Sequence, residues 1–89
     1  MILWRIYTER KNVEDIIEYA QHLFPTNGLT FLNGVGLWQG SQEESLVIEY
    51  IGISDDETRI TNLATSIRVY NKQESVLVTS QELLSHKLI

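Results

Sequence analysis

Eighty-nine residues, 43% apolar and 21% charged, make one domain that folds apart from its last few residues and is small enough for a second copy to complete its apolar burial. Seven basic against twelve acidic residues give a formal charge of −5 with no basic cluster beyond Glu9-Arg10-Lys11, which argues against nucleic acid as a partner. The absence of cysteine excludes disulfides, thiolate zinc sites and cysteine nucleophiles, while an early Arg5 and the lack of a long apolar run argue against a secretory leader or membrane span, leaving a cytoplasmic location as the expectation.

Ile2 to Thr8 alternates as a strand, with Ile2, Trp4 and Ile6 on one face and Leu3, Arg5 and Tyr7 on the other. Asn12 is placed to cap a helix with Glu14 and Asp15 in its first turn. Val13, Ile16, Ile17, Ala20, Leu23 and Phe24 keep helical spacing until Pro25 stops it. Asn27-Gly28 turns the chain into a second strand from Leu29, in which Gly34 and Gly36 predict a bulge or sharp twist before Leu37 and Trp38.

A polar turn is expected at Gly40-Ser41-Gln42-Glu43, and a third strand over Ser45 to Ile53. Ser54-Asp55-Asp56-Glu57 reads as a capping box that opens a second helix, whose apolar face is Ile60, Leu63, Ala64, Ile67 and Tyr70. Asn71-Lys72-Gln73 ends it, Ser75 to Thr79 is a fourth strand, and residues 80–89 form a tail or a short docking helix with Leu83, Leu84 and Leu88 free to meet a neighbour.

The order strand, helix, strand, strand, helix, strand is the split βαβ pattern of ferredoxin-like α+β folds: one domain over 1–89, an antiparallel sheet in the order 4-1-3-2, and both helices on one face. The uncovered face then carries Leu3, Arg5, Tyr7, Val47, Glu49, Ile51 and Ile53, with Arg5 set beside Glu49 across two central strands. Such an apolar face predicts a homodimer packed sheet to sheet, unless the tail folds over it.

The same topology gathers the end of strand one, the hairpin between strands two and three, and the start of strand four. Glu9, Ser45 and Ser75 are thereby gathered with Tyr7, Trp38, Glu44, Gln73 and Glu74, the last five being the ligand-binding candidates of a polar pocket with an aromatic wall. A solvated, purely structural role competes with that reading, because loop carboxylates usually face water. Glu44 and Glu74 would serve as paired carboxylates only if held close in a dry site.

No catalytic residue is assigned. Ser45 and Ser75 have no histidine placed to activate them, two isolated histidines do not make a metal site, and Gly34-Val35-Gly36 lacks the following helix of a phosphate loop. No cofactor or metal is expected.

Phe24-Pro25, Gly28-Leu29-Thr30, Gly36-Leu37-Trp38, Glu44-Ser45, Tyr70 and Gln73-Glu74-Ser75-Val76 together resemble a small bacterial family known only as a domain of unknown function, over about Phe24 to Val78. That resemblance implies the same fold and the same end-of-sheet cluster, and no reaction. Fold analogy adds that many ferredoxin-like chains of this length form sheet-to-sheet dimers, some of them cofactor-independent oxygenases or small-molecule binders. The leading expectation is a non-enzymatic interaction protein that acts as a homodimer. The alternatives are a small-molecule binder or cofactor-independent enzyme using the end-of-sheet pocket, and an acidic inhibitor of a basic nucleic-acid-binding protein.

Overall fold

The computed structural model describes all 89 residues. Strand β1 (Ile2–Glu9) leads to helix α1 (Val13–Leu23), strands β2 (Leu29–Trp38) and β3 (Ser41–Gly52), a single 3-10 turn over Ser54–Asp56, helix α2 (Glu57–Asn71) and strand β4 (Leu77–Glu82). The sheet is antiparallel in the order β2-β3-β1-β4, a ferredoxin-like α+β fold. It is the expected order read from the opposite edge.

Alternation decides which residues enter the core. Trp4 and Ile6 from β1 and Leu46, Ile48 and Tyr50 from β3 meet Ile16, Ala20 and Phe24 at the first helix and Ile60, Leu63, Ala64 and Ile67 from α2. The opposite face of β1 and β3 pairs Leu3 with Ile51, Arg5 with Glu49 and Tyr7 with Val47. Arg5 Nε donates to Glu49 Oε2 at 2.7 Å, which holds the guanidinium above its ordinary pKa. Each charge satisfies the other on a face that is otherwise largely apolar.

The tail does not cover that face. Ser80, Gln81 and Glu82 extend β4 beyond the predicted Thr79, Leu83 N donates to Met1 O, and Leu84, Leu88 and Ile89 lie fully exposed. No terminal helix forms. Ile51, Leu32 and Leu77 consequently stay about half exposed on the open face, whereas Ile53 sits beyond the end of β3.

Three local expectations are corrected. The β2–β3 register runs from Leu29 opposite Tyr50 to Trp38 opposite Ser41 with no skipped residue, so Gly34 and Gly36 make no bulge. The turn is Gln39-Gly40, with φ of 50° and 81°, which is the two-residue geometry that matches strand twist and sets Ser41 to Glu44 inside β3. Asn12 occupies the cap position with a left-handed φ of 56°, but its amide turns away to donate to Asn71 Oδ1 at 2.8 Å.

The start of α2 is also rearranged. The decisive side chain there is Asp56 rather than Ser54. Its Oδ2 accepts from Ile53 N and from the Tyr50 hydroxyl, both at 2.9 Å, and its Oδ1 accepts from Arg59. Arg59 in turn lies over the Phe24 ring, 4.5 Å from its centre, and donates to Leu23 O. One buried carboxylate therefore ties the end of β3 to both helices.

Candidate functional site

Strand β1 stops at Glu9 opposite Ser45, so the outer end of the β2–β3 hairpin continues past the sheet as a two-stranded ribbon. Val35, Leu37 and Trp38 on this ribbon are each about two-thirds exposed or more. Beside it, across the end of β1, lie Gln73 to Ser75 at the approach to β4. The space between them is a groove of about 630 Å³ lined by sixteen residues, among them Tyr7, Trp38, Glu44, Gln73 and Glu74.

The floor of this groove explains the glycines. Opposite Ser45 and Glu43 on the open face, β2 offers only Gly34 and Gly36, between Leu32 and Trp38. A Cβ at Gly34 would approach Ser45 Oγ to 3.0 Å, whereas one at Gly36 would meet Glu43 only at ordinary contact distance. The strand is stripped of side chains where the groove runs.

The five candidates play different parts. Tyr7 and Trp38 lie on the open face and form partly exposed aromatic walls. Glu44 belongs to the helix side of the ribbon, opposite Val35, and is paired with Arg10 Nη2 at 2.5 Å. Glu74 is exposed and takes part in no ion pair.

Gln73 is already committed to the protein. Its Oε1 accepts from the Thr8 hydroxyl and from Asn71 Nδ2, and its Nε2 donates to Ser75 O at 3.4 Å. Asn71, completely buried, accepts from Asn12 through Oδ1 and from Lys11 Nζ through its own carbonyl. Gln73 thus braces the wall of the groove from within, and Glu74 and Ser75 are presented by that brace.

One further carboxylate went unread in the sequence. Glu43, expected only in the turn, shares the open face with Trp38, and Glu9, which the topology had already gathered here, lines the groove from the end of β1. Period two contained the signal: Trp38, opposite Ser41, puts odd-numbered β3 residues on its own face. Glu9, Glu43, Glu44 and Glu74 give the groove four acidic side chains, and no lysine, arginine or histidine lines it. Such a surface attracts cations and repels phosphates.

No family model matches the chain, and no curated protein matches it either. Solved structures do share its fold. A DUF3240 family protein from Shewanella baltica matches at a TM-score of 0.79 and 11% identity, covering 99% of this chain and 94% of that one. A phage SAM lyase in its apo state matches at 0.65 and 24%, covering 90% and 78%, and a GlnK–ATP complex from B. subtilis at 0.61 and 22%, covering 90% and 80%. At these identities the likeness is one of fold, and the first agrees with the coarser part of the resemblance drawn from Phe24 to Val78, a small domain of unknown function.

Proposed function

We propose that the protein binds a small cationic molecule with an aromatic ring, of the sulfonium nucleoside class represented by S-adenosylmethionine, in the groove between the ribbon and the start of β4. The observation that carries this reading is the lining: two aromatic side chains and four carboxylates around a bare glycine floor, without a basic group. A sulfonium gains from carboxylates and from aromatic faces alike, and an adenine ring stacks on an aromatic wall. Two of the fold's relatives are named for ligands that contain adenosine, SAM and ATP. Charge separates the two here, because a triphosphate would meet Glu9, Glu43 and Glu74, which are in no ion pair, and Glu44, whose Arg10 partner is already engaged. The small-molecule reading therefore stands ahead of an interaction protein without a ligand.

Thermal unfolding with added S-adenosylmethionine tests this directly, since a ligand at a hundred times its dissociation constant adds about 2.7 kcal/mol of stability. We expect stabilisation by S-adenosylmethionine and none by ATP. Gly36→Val, which fills the floor at a position with room for a Cβ, should abolish the shift while the ligand-free protein unfolds as before; Glu74→Gln should weaken binding about tenfold, the loss of one charge-assisted contact of about 1.4 kcal/mol. Stabilisation by ATP instead, or an undiminished response in Gly36→Val, would overturn the reading. Chromatography of the same incubations shows whether the bound molecule is also consumed.

A second copy is the occupant we propose for the open sheet face. Leu3, Tyr7, Val47 and Ile51 sit around the Arg5–Glu49 pair, joined by the half-exposed Leu32 and Leu77, with nothing of the chain's own over them. Light scattering should give a dimeric mass for the wild type and a monomeric mass for Ile51→Arg, which sets a charge in the patch at a position outside the ligand groove. A monomeric wild type at micromolar concentration removes the homodimer.

A further inference from the structure

The helix layer carries a second groove, unconnected with the proposed ligand site. It runs between α1 and α2, has a volume of about 350 Å³, a floor of Ile16 and Ile67, walls of Tyr19 and Tyr70, and Asp15 and Glu18 at its rim. Both walls are pinned across the helix pair: the Tyr70 hydroxyl donates to Asp15 Oδ2 at 3.0 Å, and Ser66 Oγ donates to the Tyr19 hydroxyl at 3.1 Å. Tyr19 and Tyr70 keep about 39% and 57% of their surface exposed. His22 also lines the groove, and no lysine or arginine does. The groove is apolar within, carries Asp15 and Glu18 at its rim, and is crossed by two hydrogen bonds between the helices.

The segment from Leu83 to Ile89, LLSHKLI, has the opposite character. Leu84, Leu88 and Ile89 are fully exposed, His86 and Lys87 supply basic side chains, and no acidic side chain follows Glu82. Leu83 N fixes where the segment leaves the sheet, by its bond to Met1 O. From that anchor, seven extended residues reach about 23 Å, far enough to lie along a neighbouring molecule. Exposed leucines beside a lysine are costly in water and suited to an apolar groove with a carboxylate rim.

We infer that the Leu84–Ile89 segment of one copy docks into the α1–α2 groove of a second copy, its leucines over Ile16 and Ile67 and its Lys87 at the Asp15–Glu18 rim. The sheet-face contact proposed above uses the opposite side of the molecule, so the two contacts are compatible and independent. Within one chain the segment leaves its own groove untouched.

The cysteine-free sequence makes the contact easy to trap. Full-length Ser66→Cys and Leu88→Cys chains, one carrying a mass tag, are mixed and oxidised, with Gln42→Cys at the ribbon replacing Ser66→Cys as the control. A mixed covalent dimer several-fold above the control is expected. Glu18→Lys should reduce it several-fold, and Lys87→Glu on the tail-donating chain should restore it, a rescue that general stickiness would not produce. Mixed dimer at the control level, or a disulfide that closes only within a chain carrying both cysteines, overturns the proposal. As a readout free of substitutions, a capped LLSHKLI peptide added to the wild-type chain should shift the ring resonances of Tyr19 and Tyr70; unshifted rings, with shifts elsewhere or none, would overturn it as well.

Discussion

Replacing Asp56 with alanine should destabilise the protein by about 3–5 kcal/mol, the loss expected when one partner is removed from a buried charged network. Asp56 has 6% exposure, and its carboxylate accepts three hydrogen bonds, from Ile53 N, the Tyr50 hydroxyl and Arg59. Its removal leaves the Tyr50 hydroxyl and the Ile53 amide without an acceptor and frees Arg59 from its place over Phe24. Urea unfolding of wild type and variant measures the difference; a loss below about 1 kcal/mol would mean that water replaces the carboxylate at modest cost.

The same residue gives stability a pH dependence with a definite sign. Burial alone would push the Asp56 pKa up, but the Ile53 amide, Arg59 and the Tyr50 hydroxyl together hold it below the ordinary 3.8. A carboxyl that binds its proton less readily when folded contributes stability above pH 3.8, and that contribution drains away as pH falls from there through the lower, folded-state value. Wild-type urea midpoints should therefore drop on acidification more steeply than those of Asp56→Asn, which has no charge to lose. Tyr50 answers at the alkaline end: burial, then Asp56, raise its pKa, so its hydroxyl keeps its proton and remains a donor.

These contacts show where sequence reasoning reaches and where it stops. The Arg5–Glu49 pair was legible because period-two alternation fixes the face of each residue, and two lone charges on a half-apolar face have few other places to go. Topology followed from the order of elements. Asp56 was hidden by its neighbours: in Ser54-Asp55-Asp56-Glu57 the local rules favour Ser54 as cap, and only tertiary contact selects the third residue. A trace existed in Gly52, since a Cβ there would collide with the Asp56 carboxylate and the Tyr50 ring. A lone glycine late in a strand marks a close approach, but not the group that approaches.

The glycines of β2 misled for a related reason. Paired Gly34 and Gly36 in a strand read as a distortion, yet the register is unbroken, and their absence of side chains is used for surface relief instead. Trp38 and Glu74 were placed by topology at the groove, whereas Gln73 and Glu44 share their neighbourhood and spend their polar groups on the protein: Gln73 on Thr8, Asn71 and Ser75, Glu44 on Arg10. Topology brings segments together; only side-chain geometry divides those that hold the wall from those that face the groove.

Asn71→Ala should reveal that division, with a stability loss of about 2–3 kcal/mol from the buried amide and, under the proposed function, a fall in affinity for S-adenosylmethionine, although Asn71 does not line the groove. Asn71 ends α2 just before Lys72 adopts a left-handed φ of 55°, and Gln73 N returns to Arg68 O at 3.0 Å, so the chain reverses sharply into the groove wall. Across that reversal the Asn71 amide receives Asn12 and gives to Gln73, which joins the start of α1 to the wall. Without it, Gln73 Oε1 retains only Thr8, and Glu74 loses part of the support that fixes its direction. Asn71→Asp keeps the acceptor for Asn12 but offers Gln73 Oε1 an oxygen where it had an N–H, so it should lose affinity too while recovering part of the stability. Equal affinities for wild type and both variants, measured by calorimetry with S-adenosylmethionine well below their unfolding temperatures, would show that the wall stands without its brace.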